Sequence, residues 1–333
     1  MKRLVARSIS RSVWERWQER PFAGQILAAF ERACYLGSPG GDVVAVVLPE
    51  LDNGPLNIML EDGPGLFATV EPGMSARLVA NRLRVGGLEI DLASAEAWEP
   101  QSAWDKLRTC QRAIAERLSL VRTLALHHTP EGSLLALFAA PLAAPPTAAW
   151  PAAAPPAPPT LPANELAGWY RKPVQTGSRS LNRVLTSLTY LAANSFVTGL
   201  QAGWDGDRSQ LQAGAVQLAG LGGGLTPAGD DFLVGVMLWA WLTHPAPQPL
   251  CQTVLEAAAP RTTTLSAAFL RAAARGECSA SWHALLAALA EGTDTELAPA
   301  VEAVLAHGHT SGADTLAGFL WTVLWPASLI TGG

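Results

Sequence analysis

The sequence predicts an α+β protein, with a strand-rich N-terminal half and a predominantly helical C-terminal half that contains two buried apolar helices. Three observations predict it. Before residue 138, short β-branched or apolar runs alternate with turn signals built from Gly, Pro and Asn. Residues 139–163, AAPLAAPPTAAWPAAAPPAPPTLPA, are so rich in Ala and Pro that neither a helix nor a central strand suits them. After about residue 164 the chain is Ala- and Leu-rich, with apolar residues at helical spacing. The expected organisation is a mixed, strand-rich domain over 1–138, an extended polyproline-like connector over 139–163 with Trp150 as an anchor, and a helical domain over 164–333.

Taken in order, residues 25–36 (QILAAFERACYL) have helical spacing and are stopped by Gly37, Pro39 and Gly40. Residues 42–48 (DVVAVVL) are β-branched and almost continuously apolar, as a buried strand requires. Strands over 56–60 and 66–70 follow, with Asn53-Gly54-Pro55 and Asp62-Gly63-Pro64-Gly65 as turns. Residues 77–85 and 88–92 flank Gly86-Gly87, a hairpin turn. Residues 102–124 have the pattern of one amphipathic helix. Further helices are expected over 180–199, 210–218, 227–242, 250–258, 264–274, 281–290, 296–306 and 312–324.

The chain has 333 residues, 49% hydrophobic and 15% charged, which is ample material for a core. A net charge of -5 offers no general attraction to nucleic acid or to anionic membrane surfaces. Basic residues are scattered, apart from Lys2, Arg3, Arg7 and Arg11. Arg7, Arg11, Glu15 and Arg16 break any signal-peptide core, and the longest apolar run, 232–242, is too short to cross a bilayer. A cytoplasmic protein with neither nucleic acid nor membrane as partner is the expectation. The cysteines, Cys34, Cys110, Cys251 and Cys278, form no CxxC and no Cys/His pair at zinc spacing, so they are expected as free, mostly buried thiols. His127/His128 and His307/His309 are close pairs without a third ligand nearby in sequence.

The most informative stretch is LGGGLTPAGDD from Leu221 to Asp231, followed by FLVGVMLWAWL. Thr226-Pro227 is a helix-start signal, with Thr226 at the cap and Pro227 at the first helical position. Gly222, Gly223 and Gly224 let the backbone take positive φ and approach a ligand closely. Free N–H groups at a helix start, with the dipole behind them, favour an anion. The helix beyond Asp231 is apolar on every side, which makes it a central element and places its start at a pocket. With Thr226 as cap, the capping-box position is Gly229, so local capping does not account for Asp230 and Asp231. Two carboxylates entering an apolar helix need hydrogen bonds, cations or a ligand. Two accounts stay open: one acid caps a neighbouring loop while the other pairs with an Arg, or at least one faces the ligand as a catalytic group.

A second stretch repeats the pattern. Gly229-Asp230-Asp231-Phe232-Leu233-Val234-Gly235 and Gly312-Ala313-Asp314-Thr315-Leu316-Ala317-Gly318 share Gly, Asp, Leu and Gly at equal spacing, and each opens a very apolar helix. Gly235 and Gly318 would let those helices cross closely. His309, Thr310 and Ser311 offer donors at the second start, so the two starts are candidates to face one another across a pseudo-symmetric site. The bland alternative is that Ser311-x-x-Asp314 is a capping box.

Weaker motifs have ordinary explanations. No Gly-Lys-Ser/Thr follows the glycine loop, so it is not a Walker A motif, and no strand–GxGxxG–helix unit or Gly-x-Ser-x-Gly elbow is present. The cluster from Arg261 to Ser266 (RTTTLS) suits helix capping, and Asp205-Gly206-Asp207 suits a polar turn. Asn53, in Asn53-Gly54-Pro55, is a turn residue and a lesser candidate to line the substrate site.

The stretches GGGLTPAGDDFLVG and HTSGADTLAG, with FERACYL followed by NGPLNI, resemble a bacterial family that includes the AllH-type subunit of oxamate carbamoyltransferase, from anaerobic allantoin breakdown. The likeness spans most of the chain outside the Pro-rich segment. It departs at Gly223, where the family has Pro, and at Ala228, where it often has Ser. The resemblance implies carbamoyl transfer between carbamoyl phosphate and an oxamate-like amide, as one subunit of a multi-protein enzyme. The Ser-Thr-Arg-Thr phosphate motif of aspartate- and ornithine-type carbamoyltransferases is missing, which implies a different fold for that activity.

Three readings follow. In the first, the chain is an enzyme subunit that binds a small anionic metabolite, a carboxylate or phosphate. Asp230 and Asp231 are then its catalytic candidates, and Gly222, Gly223, Gly224, Thr226, Gly229, His309, Thr310, Ser311, Gly312, Asp314 and Asn53 its binding candidates. The second is a non-catalytic metabolite-binding subunit. The third is a small-molecule kinase in which Asp230 and Asp231 hold Mg2+, the one cofactor considered. Partner subunits or a homo-oligomer are expected in the first two, since subunit interfaces also use apolar surface.

Overall fold

A computed structural model describes residues 2–63, 65–139, 179–204 and 207–321. The expected connector and Trp150 lie outside the described residues, apart from Ala139. Contacts divide the chain into two units, Met1–Ser102 with Glu277–His283, and Ala103–Gly276 with Ala284–Gly333. The class is α+β as expected, strand-rich first and helical second.

The first unit holds β1 (Lys2–Ser10), α1 (Arg11–Glu19), β2 (Ala23–Ala29), β3 (Ala33–Gly37), β4 (Val43–Val47), β5 (Asn57–Leu60), β6 (Ser75–Val79), β7 (Arg82–Val85), β8 (Leu88–Asp91) and β9 (Glu96–Trp98). The strands pair in the order β5-β4-β3-β2-β6-β7-β8-β1-β9, and β1 also pairs with β5. Eight strands therefore close into a barrel, which leaves β9 beside β1. Strand β1 makes the closure possible because its ends have different neighbours: Lys2–Val5 run parallel to β8, and Ala6–Ile9 run antiparallel to β5. A register shift between Ala6 and Ser8 bends it where the neighbour changes. Closure buries the backbone edges that an open sheet would expose. The interior is filled by alternate side chains such as Ile26, Leu36, Val44, Ile58, Leu83 and Ile90, with Val13 and Trp17 of α1 in the same core.

Three expectations are corrected in this unit. Residues 25–36 are not a helix but the β2–β3 hairpin, closed by Phe30 N–H donating to Ala33 O at 2.8 Å. Their crowded apolar pattern satisfies both periods, and sheet pairing decides between them. Residues 66–70 form a 3-10 turn over Leu66–Thr69 after Gly65 at φ 70° rather than a strand. Residues 77–85 are two strands, because Ala80 takes φ 53° and turns the chain between β6 and β7. Strand β1, helix α1 and strand β9 had no counterpart in the sequence reading. The Gly86-Gly87 turn does join β7 to β8 as expected.

The second unit holds α2 (Trp104–Thr109), α3 (Gln111–His127), α4 (Leu134–Ala139), α5 (Arg179–Trp204), α6 (Arg208–Leu218), α7 (Ala228–Thr243), α8 (Pro247–Ala258), α9 (Thr264–Ala274), most of α10 (Ala280–Glu291), α11 (Asp294–Leu305) and α12 (Ser311–Phe319). The single helix expected over 102–124 is broken at Cys110 into α2 and α3. Contacts place α2–α4 with the helical unit, whereas the composition-based boundary fell at 138. From α5 onward the helices lie where periodicity put them, within a few residues at their ends. No helix among the described residues is long and apolar enough to cross a membrane.

Helices α7 and α12 are the two buried apolar helices, and they pack on each other. The contact is reciprocal. A Cβ on Gly235 would lie 1.9 Å from Thr315 O, and one on Gly318 would lie 2.0 Å from Phe232 O. Phe232 and Thr315 occupy equivalent positions in the repeated motif, so the crossing obeys a local two-fold relation. Trp239 and Phe319 pack edge to face at 5.5 Å further along the pair.

Candidate functional site

Helix α7 begins at Ala228, with Pro227 as its N-cap and no side-chain cap bond. Thr226 is therefore not the cap, a correction of one residue that changes what Asp230 does. Asp230 falls at the third helical position, yet it does not reach back to its own cap. Its Oδ1 accepts from Gly220 N–H at 3.0 Å, and its Oδ2 accepts from the Thr262 hydroxyl. The Thr263 hydroxyl donates to Leu225 O at 2.6 Å and accepts from Ser266 N–H at 3.0 Å, which caps α9. The glycine loop is thus fastened at Gly220 and Leu225. Asp230 and the threonines assigned only to capping do the fastening.

Between those anchors the backbone is open at Gly223 and Gly224, whereas a Cβ on Gly222 would lie 2.6 Å from Ala228 N. Gly222 and Gly224 take φ 121° and 90°, and added Cβ atoms at Gly223 and Gly224 would meet nothing within 4 Å. Gly229 packs so tightly that a Cβ would lie 2.2 Å from Leu218 O. Its counterpart Gly312 repeats the arrangement against Val304 O at 1.9 Å. Each glycine seats a helix start on the end of the preceding helix.

Asp231 and Asp314 are the equivalent acids of the two starts, at 7% and 1% exposure. Asp314 Oδ1 accepts from Leu134 N–H, the first residue of α4, at 2.6 Å. The Oδ2 atoms of both Asp231 and Asp314 are buried without a hydrogen-bond partner. The starts also meet through Thr226 Oγ1 and Ser311 Oγ, 2.7 Å apart. The capping-box alternative for Asp314 is not realised: α12 starts at Ser311 behind Thr310, which makes no side-chain cap bond.

Environment acts on all three acids in the same direction. Burial pushes Asp230 up to about 6, against the Thr262 hydroxyl and the Gly220 N–H. Burial, and then the charge of Asp314, push Asp231 well above the usual carboxylate range, against the hydroxyls of Ser311 and Thr226. Burial pushes Asp314 up to about 6, against the Leu134 N–H and the Thr310 hydroxyl. Burial and mutual repulsion both disfavour two ionised carboxylates at these helix starts.

The structure brings Thr226, Asp230, Asp231, Ser311 and Asp314 together with the open glycines. His309 is exposed and Thr310 half-buried on the approach to α12. Asn53 belongs to the barrel unit, where its Oδ1 accepts from Ser8 Oγ at 2.6 Å and its carbonyl accepts from Ala280 N–H at 2.9 Å. Among the described residues, no group of three or more His, Cys, Asp or Glu side chains is gathered as a metal site. Cys34, Cys251 and Cys278 are buried free thiols and Cys110 is partly buried. Burial pushes Cys34 and Cys278 up to about 12, which disfavours the thiolate form.

Residues 218–323, which contain both helix starts, match the family model described as oxamate carbamoyltransferase subunit AllH. Residues 5–97, which contain most of the barrel, match the AllH family N-terminal domain. No solved structure matches the chain.

Proposed function

The chain belongs to the AllH family, described as a subunit of oxamate carbamoyltransferase, and from that premise we propose that its helical unit binds a small anionic substrate at the starts of α7 and α12 and takes part in carbamoyl transfer. The observation that carries this reading is the acid pair. Asp231 and Asp314 come from equivalent positions on crossing helices, and each keeps one buried oxygen unpartnered. An unsatisfied buried carboxylate is costly to a fold that gains nothing from it, and two at related positions point to a purpose.

The glycine loop and helix starts offer N–H groups to a carboxylate or phosphate. Two full negative charges beside them would repel that anion, and the raised pKa values of the pair ease the conflict. In the transfer, the amide nitrogen of an oxamate-like acceptor attacks the carbamoyl carbon of carbamoyl phosphate. The ionised member of the pair takes the nitrogen's proton as the C–O bond to phosphate breaks, leaving a carbamoylated amide and inorganic phosphate. Hydroxyls of Thr226 and Ser311, with the open loop N–H groups, are the donors available for the tetrahedral oxyanion. Asp230, with both oxygens engaged, positions the loop.

A thermal-shift screen of the full-length chain against phosphate, carbamoyl phosphate, oxamate and Mg-ATP tests the assignment. A ligand present at 100 times its dissociation constant stabilises the folded state by roughly 2.7 kcal/mol. Carbamoyl phosphate or oxamate is expected to raise Tm, and Asp231→Asn to weaken that rise. Stabilisation by Mg-ATP alone would favour the Mg2+-dependent kinase reading, and no response at all would overturn binding at these helix starts. The word subunit in the family's description favours one further reading, a non-catalytic metabolite-binding role. There the ligand shift persists but Asp231→Asn leaves turnover of the assembled enzyme unchanged.

A further inference from the structure

The outer face of the barrel carries a second feature that the helix-start site does not use. Strand register aligns the outward residues of β6, β7, β8 and β1 into two rows. Arg77, Arg84, Glu89 and Arg3 form one, and Val79, Arg82, Asp91 and Val5 form the other. Glu89 is only 4% exposed although it points away from the barrel core, because guanidinium groups fold over it. Arg84 lies 3.1 Å from its carboxylate, Arg82 3.4 Å and Arg3 3.8 Å.

The acid orders these arginines without neutralising the face. Four arginines against two acids leave it positive, in a chain whose net charge is -5. Val79 and Val5, 49% and 39% exposed, are two of only four large apolar side chains exposed among the described residues. Between the rows lies a cleft of about 170 Å3 lined by Arg3, Leu4, Val5, Arg82, Glu89 and Asp91. That is smaller than pockets that enclose a metabolite, which run from roughly 300 Å3 upward, and suits a single side chain. Arginines held in place, flanked by exposed apolar residues, are the composition of a protein interface rather than of open surface.

We propose that this face docks a different subunit of the assembled enzyme, through an acidic segment that lies across Arg77, Arg84, Arg82 and Arg3 while apolar neighbours cover Val5 and Val79. The family's description as a subunit supplies the different partner, and the surplus positive charge of the face gives that partner's segment its acidic character. The inference rests on the subunit role but not on the acid pair of the helical unit.

The test co-expresses the full-length chain with the proteins encoded by adjacent genes, purifies the complex, and identifies the bound subunit by mass spectrometry. Wild type should form a stoichiometric complex that weakens with added salt and shows slowed amide exchange over residues 75–91. Arg77→Glu/Val79→Asp, two exposed positions outside the Glu89 ion pairs, should bind at least 10-fold more weakly while the isolated variant keeps the wild-type Tm and anion response. Arg3→Glu/Val5→Asp should reproduce the loss from the other side of the cleft. Unchanged affinity in both variants, protection confined to other segments, self-association alone, or no complex would each overturn the proposal. Loss of the anion response in the wild-type chain would instead count against the helix-start site.

Discussion

Asp230 and Asp231 are neighbours in sequence with opposite situations. Asp230 spends both oxygens on Gly220 and Thr262, and Asp231 keeps one unspent. Asp314 stands between them, with Oδ1 on Leu134 N–H and Oδ2 buried without a well-formed hydrogen bond. The pKa shifts give this a sign. Asp314 is raised from 3.8 to about 6, so the folded state holds its proton more tightly than the unfolded chain does. The resulting stabilisation is complete below pH 4 and is lost as pH rises through 6. Through this group alone the fold is up to ~3 kcal/mol less stable at neutral pH than below pH 4. Asp314→Asn retains an acceptor for Leu134 N–H and removes the charge. It is expected to melt above wild type at pH 8, with the advantage shrinking toward zero at pH 4. Equal differences at both pH values would show that the carboxyl is not perturbed.

At the scale of elements, the reciprocal glycines set how near α7 and α12 approach. Gly235 meets the carbonyl of Thr315 and Gly318 that of Phe232, and neither helix backbone can yield as a flexible side chain would. Gly235→Ala is expected to lose about 1–3 kcal/mol or more in urea unfolding, because the helices must separate and carry Asp231 away from Asp314. Gly223→Ala, at a backbone facing open space, should change stability by no more than ~0.5 kcal/mol. This crossing was legible in the sequence because its two motifs repeat Gly, Asp, Leu and Gly at one spacing. Helix α9 was legible to the residue because the hydroxyl-rich Thr262–Thr263 segment marks its start. The β2–β3 hairpin was not, since QILAAFERACYL presents apolar residues at both periods and only pairing with β4 and β6 resolves them. Nor could local sequence reveal that Thr262 holds Asp230, or that α4 donates to Asp314, a contact spanning 180 positions.

For the whole molecule, the family described as an oxamate carbamoyltransferase subunit gives each unit a place. The barrel supplies an arginine-bearing face, and the helical unit supplies the facing helix starts with their acid pair. The most direct measurement is the rate of carbamoyl transfer from carbamoyl phosphate to oxamate by the enzyme assembled with its partner subunits, comparing wild type with Asp231→Asn and Asp314→Asn. General acid–base groups contribute about 10²–10⁴-fold, so each variant is expected to fall by at least ~10² in kcat while assembly stays intact. Full activity in both variants within an intact complex would contradict the account and move the chemistry away from the starts of α7 and α12.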